Sequence, residues 1–154
     1  MPDEPVELAK INITYHKEPD ELETMTLSDG ANEVVLYPSP LGGMSMLLDV
    51  IGALVQLIPY DGGEHIYLWE GEQAYYRRRF NLDGETLHIR IYDWGKLVFS
   101  TTCSLWQFAG KLRLCASRLA VAEDARHVHG GDWVRRDTGY QQLSALLDER
   151  KSNR

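Results

Sequence analysis

The sequence predicts an α+β domain: a mostly antiparallel β-sheet of about five to seven strands, with two or three helices packed on one face. Three observations lead there. Runs with period-two alternation are grouped between helical runs instead of alternating with them one for one, which separates α+β from α/β. Gly-containing turns (Ser28-Asp29-Gly30, Asp83-Gly84 and Gly95-Lys96) link neighbouring strand runs, as hairpins require. Two long stretches, Met44 to Ile58 and Leu105 to about Glu123, place apolar residues at helical spacing.

The elements follow in order. Val6, Leu8, Ile11 and Ile13 open a strand whose alternation slips near Ala9-Lys10, where a bulge is expected. Asp20 to Glu23 reads as an acidic loop, and residues 24–37 as a hairpin around Ser28-Asp29-Gly30. Pro38-Ser39-Pro40 ends the sheet run, and Gly42-Gly43 precedes the first helix. Met44, Leu47, Leu48, Ile51, Leu54, Val55 and Ile58 cover a wide face, so this helix is expected to be mostly buried. Gly52 inside it marks close packing, expected against the sheet. Pro59 and Asp61-Gly62-Gly63 end the helix.

A meander of three or four strands follows over His65 to Thr102. Ser104 and Gln107 form a capping-box pattern that opens the second helix, with Leu105, Phe108, Ala109, Leu112, Cys115 and Leu119 as its apolar stripe. His127 to Arg136 is a Gly-containing loop or short turn. A last helix spans about Thr138 to Arg150, with Tyr140, Leu143 and Leu147 inward and a frayed tail over 151–154. The 154 residues hold no internal repeat and no dividing linker, so residues 1–154 are read as one domain.

The chain carries a net charge of −7, which argues against a nucleic-acid binder that works by neutralising phosphates. The charge is uneven. Residues 1–75 hold two basic and fourteen acidic residues, a net of −12, and residues 76–154 hold fourteen basic and nine acidic, a net of +5. The halves attract if they share a fold, and an acidic face left over suits a basic partner. Two cysteines, no signal-peptide pattern and no apolar run of about 20 residues predict a cytoplasmic protein with free thiols and no membrane partner.

Several motifs invite chemistry and fall short of it. His127-Val-His129 with Asp132 offers two imidazoles, but zinc wants three or four ligands. No metal and no cofactor is expected. Cys103 precedes a helix N-terminus, where a thiolate is favoured, but no base is tied to it by sequence, and Cys115 reads as a small core residue. Pro40-Leu41-Gly42-Gly43 lacks the Lys-Ser/Thr of a phosphate loop. Glu64, Glu70, Glu72, Glu85 and Asp93 could supply a carboxylate pair, or could pair with Arg77, Arg78, Arg79 and Arg90. No catalytic residue is assigned.

The aromatic residues are more informative. Tyr67, Trp69, Tyr92 and Trp94 are expected on the face opposite the Ile and Leu positions, mixed with Arg and Glu. Interfaces favour Tyr, Trp and Arg. The competing reading is a second layer over this face, or aromatic pairs that only stabilise the sheet.

Residues 65–120 resemble an uncharacterised family of small bacterial cytoplasmic proteins. The resemblance is carried by Trp69-Glu70-Gly71-Glu72, Tyr76-Arg77 to Phe80, Gly84, the alternating Leu87, Ile89, Ile91, and Leu105 with Phe108-Ala109. Members tend to have Pro-Gly at Gln73-Ala74 and Trp at Arg78. In general character the chain is also similar to bacterial immunity proteins, which neutralise the toxins of competing bacteria. The resemblance implies no catalytic residue.

The expectation is a non-catalytic protein-binding domain of the immunity type, occluding a toxin through an acidic and aromatic surface with Trp69, Glu70, Glu72, Tyr92 and Trp94 as contacts. The alternatives are a small-molecule-binding domain or small enzyme with a pocket between the first helix and the sheet, involving His88 or Arg90, and a homo-oligomer or homodimer that uses the same aromatic face.

Overall fold

The computed structural model describes residues 7–18, 23–37, 45–58, 64–70, 75–126 and 128–152; for 64–70, 75–76 and 152 the backbone alone is described. The strands are β1 (Asn12–His16), β2 (Thr24–Ser28), β3 (Glu33–Leu36), β4 (Glu64–Glu70), β5 (Tyr75–Asp83), β6 (Thr86–Asp93) and β7 (Lys96–Ser104). The helices are α1 (Met46–Leu57), α2 (Leu105–Arg126), the single turn α3 (Asp132–Arg135) and α4 (Thr138–Ser152). The class is α+β with antiparallel pairing. Among the described residues the expected single sheet is replaced by two, β1-β2-β3 and β4-β5-β6-β7, and four helices stand where two or three were expected.

The alternation slip near Ala9 has a cause other than a bulge. Ala9 makes a parallel bridge to Cys103, and its N–H donates to the Thr102 carbonyl at 2.8 Å. Three residues later the chain has entered β1, paired with β2. The slip marks where the chain leaves the edge of one sheet for the other. Val6 lies outside the described residues, as do the acidic residues Asp20 and Glu21, the Pro38-to-Gly43 segment, and Pro59 with Asp61-Gly62-Gly63.

The first sheet turns at an Asx motif: Asp29 Oδ1 accepts from Ala31 N at 3.0 Å and Asn32 N at 2.7 Å. Met25, Leu27 and Leu36 face inward, while Val34 is partly buried. In the second sheet Phe80, Leu82, Leu87, Ile89, Ile91, Phe99 and Cys103 are buried, and Phe80 meets Phe108 of α2 with ring centroids 6.1 Å apart. Helix α2 packs on both β1 and β7.

Local sequence explains where α2 starts. Ser104 Oγ accepts from Gln107 N at 3.3 Å, so half of the expected capping box is formed. Leu105 N donates to the Glu85 carbonyl at 2.8 Å, which ties this end to the β5–β6 turn. Trp106 Nε1 donates to Glu85 Oε1 at 3.0 Å, and the Arg150 guanidinium of α4 lies over the Trp106 ring. The helix continues three residues beyond its expected end. Its last residue, Arg126, reaches back to Glu18 at 3.1 Å, so an ion pair joins the basic and acidic halves.

Two glycines are set by close approach. Gly52 packs against α4, not the sheet: a Cβ on Gly139 would lie 3.3 Å from Gly52 Cα. A Cβ on Gly131 would lie 2.1 Å from the Ala120 carbonyl oxygen, a backbone atom that cannot move aside. Gly131→Ala is therefore expected to cost about 3 kcal/mol of stability through overpacking, read as a lower midpoint in urea. Beside it, Asp124 accepts from Gly131 N at 2.7 Å and pairs with Arg135. The Arg135 hydrogen bond, then that of Gly131, holds the Asp124 carboxyl at about 2, below its ordinary 3.8. Its contribution is complete above 3.8 and is lost as pH falls toward 2. Asp124→Asn should flatten the acid limb of the stability–pH curve in that window.

Candidate functional site

The register of the second sheet separates its two faces. Arg78 pairs with Ile91, Phe80 with Ile89 and Leu82 with Leu87, and these face the core. Arg78 is buried there, 1% exposed, so it does not share a surface with Arg77 and Arg79. On the other face, Arg77 pairs with Tyr92, Arg79 with Arg90 and Asn81 with His88. Arg77, Asn81 and Arg90 are exposed, while Arg79, His88 and Tyr92 are half-buried. The Arg79 guanidinium lies over the Tyr92 ring, 5.6 Å from its centroid.

One end of this face is apolar. Tyr92 pairs with Leu97, but Ile91 pairs with Phe99, so Val98 is an extra residue on β7. This bulge leaves Leu97 and Val98 48% and 40% exposed. The turn beyond them is Trp94-Gly95, one residue earlier than the expected Gly95-Lys96. Trp94 has φ 50° and Gly95 φ 77°, the positive values a type I′ hairpin needs at both positions. Asn or Gly normally fills the first position. Here a Trp does, and it is 62% exposed.

The expected aromatic face is corrected by this register. Trp69 pairs with Tyr76, and Tyr76 with Asp93, whereas Tyr92 pairs with Arg77, and Arg77 with Leu68. Trp69 and Tyr92 thus belong to neighbouring rows of the ladder, and neighbouring rows face opposite sides. Trp94 lies in the turn, not on the sheet face. Tyr92 and Trp94 stand together at one end. Glu70 pairs with Tyr75 at the end of β4, and Glu72 lies outside the described residues. Around Tyr92 the described charged side chains of the open face are basic (Arg77, Arg79 and Arg90), with Asp83 at the far end of β5, in place of the expected acidic and aromatic surface. For the site, sequence reasoning named Arg77 and Arg79 only as partners for the carboxylates, and it did not single out Leu97 and Val98. The Asp83-Gly84 turn signal was enough to place the two arginines on one face with Tyr92, but nothing local marks the bulge.

The other candidates separate. Glu85 and Asp93 lie at opposite ends of β6, roughly 25 Å apart at about 3.3 Å per residue, so they form no carboxylate pair. Cys103 is fully buried, and burial pushes its thiol up to about 12, which removes the thiolate expected of a nucleophile. Cys115 is also buried, with its thiol raised by burial. His129 sits exposed in the turn after α2, and His127 lies outside the described residues. Among the described residues no group of three or more His, Cys, Asp or Glu could hold a metal, and no helix is long and apolar enough to cross a membrane. On α1, Leu47, Ile51, Ala53 and Leu54 are fully buried in the common core, where a ligand pocket was the alternative expectation. His88 and Arg90 lie on the open face instead. Comparisons with protein families, characterised proteins and solved structures found no match to the chain.

Two outcomes check this geometry. Trp94→Asn should stabilise the protein by about 0.5–1 kcal/mol, because Asn accepts a left-handed backbone that a Trp does not; a lower melting midpoint would contradict it. Cys103 should stay unmodified by iodoacetamide at pH 8 in the folded protein and react once it is unfolded, read by mass spectrometry.

Proposed function

We propose that this protein is a non-catalytic protein-binding domain whose partner docks on the open face of the β4–β7 sheet, around Tyr92 and Trp94. One observation carries the reading. A large aromatic residue occupies a left-handed turn position and remains mostly exposed, although a smaller residue would relieve the backbone. Strain kept at the surface is typical of a site that uses the side chain. Leu97 and Val98 extend the apolar contact, and Arg77, Arg79 and Arg90 surround it, the composition of an interface centre.

The charge of this face selects a partner with an acidic surface, reversing the basic partner expected from net charge. The specific form of the reading is an immunity-type inhibitor that covers a toxin's active surface. Glu70 and Glu72 stay in this reading as proposed contacts, whereas Trp69 leaves it, because its row of the ladder neighbours that of Tyr92 and so belongs to the other side.

The test is affinity capture with the wild-type protein and with Tyr92→Ala/Trp94→Ala, at low and moderate salt. The wild type should retain a partner at near-equal stoichiometry, less at higher salt. The double variant should lose it by roughly a hundredfold in affinity, as two interface anchors do, and keep its melting midpoint. Identical capture by both proteins would overturn the reading. If the partner is a toxin, co-expression of the wild type, but not the double variant, protects cells.

A further inference from the structure

We propose that the cleft between β5 and β6 on the open face binds the phosphoryl group of a phosphate monoester. This rests on reading the face as a binding face and names a ligand chemistry for it. The cleft has a volume of about 160 Å³ and is lined by Arg79, Asn81, His88 and Arg90.

The lining is unusual for a sheet surface. Arg79 and Arg90 are directly opposed across the strands. Like charges in that position repel each other. An anion between them reverses the sign of the interaction. Arg90 makes no ion pair among the described residues, and the Arg79 guanidinium is steadied over the Tyr92 ring. The next row, Asn81 opposite His88, adds an amide and an imidazole. His88 Nδ1 and Thr102 Oγ1 are hydrogen-bonded at 3.0 Å, which sets the rotation of the imidazole ring.

The donor set discriminates among anions. One guanidinium already satisfies a carboxylate through its two-pronged fork. Two opposed guanidiniums with an imidazole and an amide supply more donors and more charge than a carboxylate can use. A phosphate monoester, with a charge of about −1.5 to −2 and three terminal oxygens, matches them. A diester has only one negative charge and two terminal oxygens. Register also places Glu64 beside Asn81, the acidic residue of that row.

Calorimetric titration at low ionic strength with inorganic phosphate, O-phosphoserine and dimethyl phosphate tests the proposal. Both monoanion-to-dianion probes should bind saturably and at least about tenfold tighter than the diester. Arg79→Gln and Arg90→Gln should each weaken binding about tenfold or more, the loss expected for one charge-assisted contact. Arg118→Gln, an exposed arginine of α2, should leave it unchanged. Without ligand, Arg90→Gln should keep or raise the melting midpoint, which separates lost binding from lost folding. Glu64→Gln should bind at least as tightly as the wild type.

Absence of saturable binding, equal affinity for the diester, or an equal loss in Arg118→Gln would each overturn the proposal. So would retained binding in Arg79→Gln and Arg90→Gln, or lost binding in Glu64→Gln. A neutral peptide containing phosphoserine then identifies the source. Tighter binding than free phosphoserine assigns the group to a modified protein partner, and equal binding to a small metabolite. Failure of the Tyr92/Trp94 capture experiment leaves this titration standing, and failure here leaves that partner reading standing.

Discussion

Helix α2 has to serve two sheets with one apolar stripe, and the rest of the fold follows from that constraint. Neither the three-stranded nor the four-stranded sheet can bury its inner face alone. Leu105, Phe108, Leu112, Cys115, Ala116 and Leu119 are buried along one side of α2, which meets β7 near its start and β1 further along. Phe108 locks to Phe80 at the β5 end, and Cys115 Sγ lies 3.8 Å from the Ile13 carbonyl at the β1 end. The small Ala120 then lets the chain fold back over the helix at Gly131. The crossing of residues 9–12 from β7 to β1 is the backbone counterpart of the same bridge.

With the apolar side of the four-stranded sheet committed to α2, the described side chains of its other side are exposed or half-buried. The locally unfavourable choices of the second sheet collect there. Trp94 occupies a backbone region that suits Asn or Gly, Arg79 opposes Arg90, and the Val98 bulge turns two apolar residues outward. On the core side the same strands are regular, apart from the buried Arg78. Sites of function are where local and global preferences disagree. Apart from Arg78, the disagreement among the described residues lies on one face and in its Trp94-Gly95 turn, and it runs from the apolar tip to the cleft at His88.

Much of this architecture is legible in the sequence. The Ser104–Gln107 spacing marks the start of α2, the Asp29 and Gly84 turns mark two hairpins, and the spacing of Tyr140, Leu143 and Leu147 marks α4. These are local signals, each acting within about four residues. The candidate site is less legible. In β4, Ile66 and Leu68 alternate with Tyr67 and Trp69, so both faces are comparably apolar and period-two reasoning has no preference between them. Assigning Ile and Leu inward reversed the parity of the strand and put Trp69 beside Tyr92. Extending β6 by one residue put Trp94 on its face, because a Trp is a strong strand residue and a rare turn residue.

By itself, the sequence determined the α+β class, the antiparallel hairpins, the capped second helix and the inward stripes of the helices, because caps, turns and periodicity are set by neighbouring residues. Only the tertiary structure decided that the strands divide into two sheets, that Arg78 is buried while Arg77 and Arg79 are not, and that Tyr92, Trp94, Leu97 and Val98 meet at one tip. Those outcomes depend on register and on which surface α2 covers. Register is a relation between strands, and a single strand with two apolar faces carries no record of it.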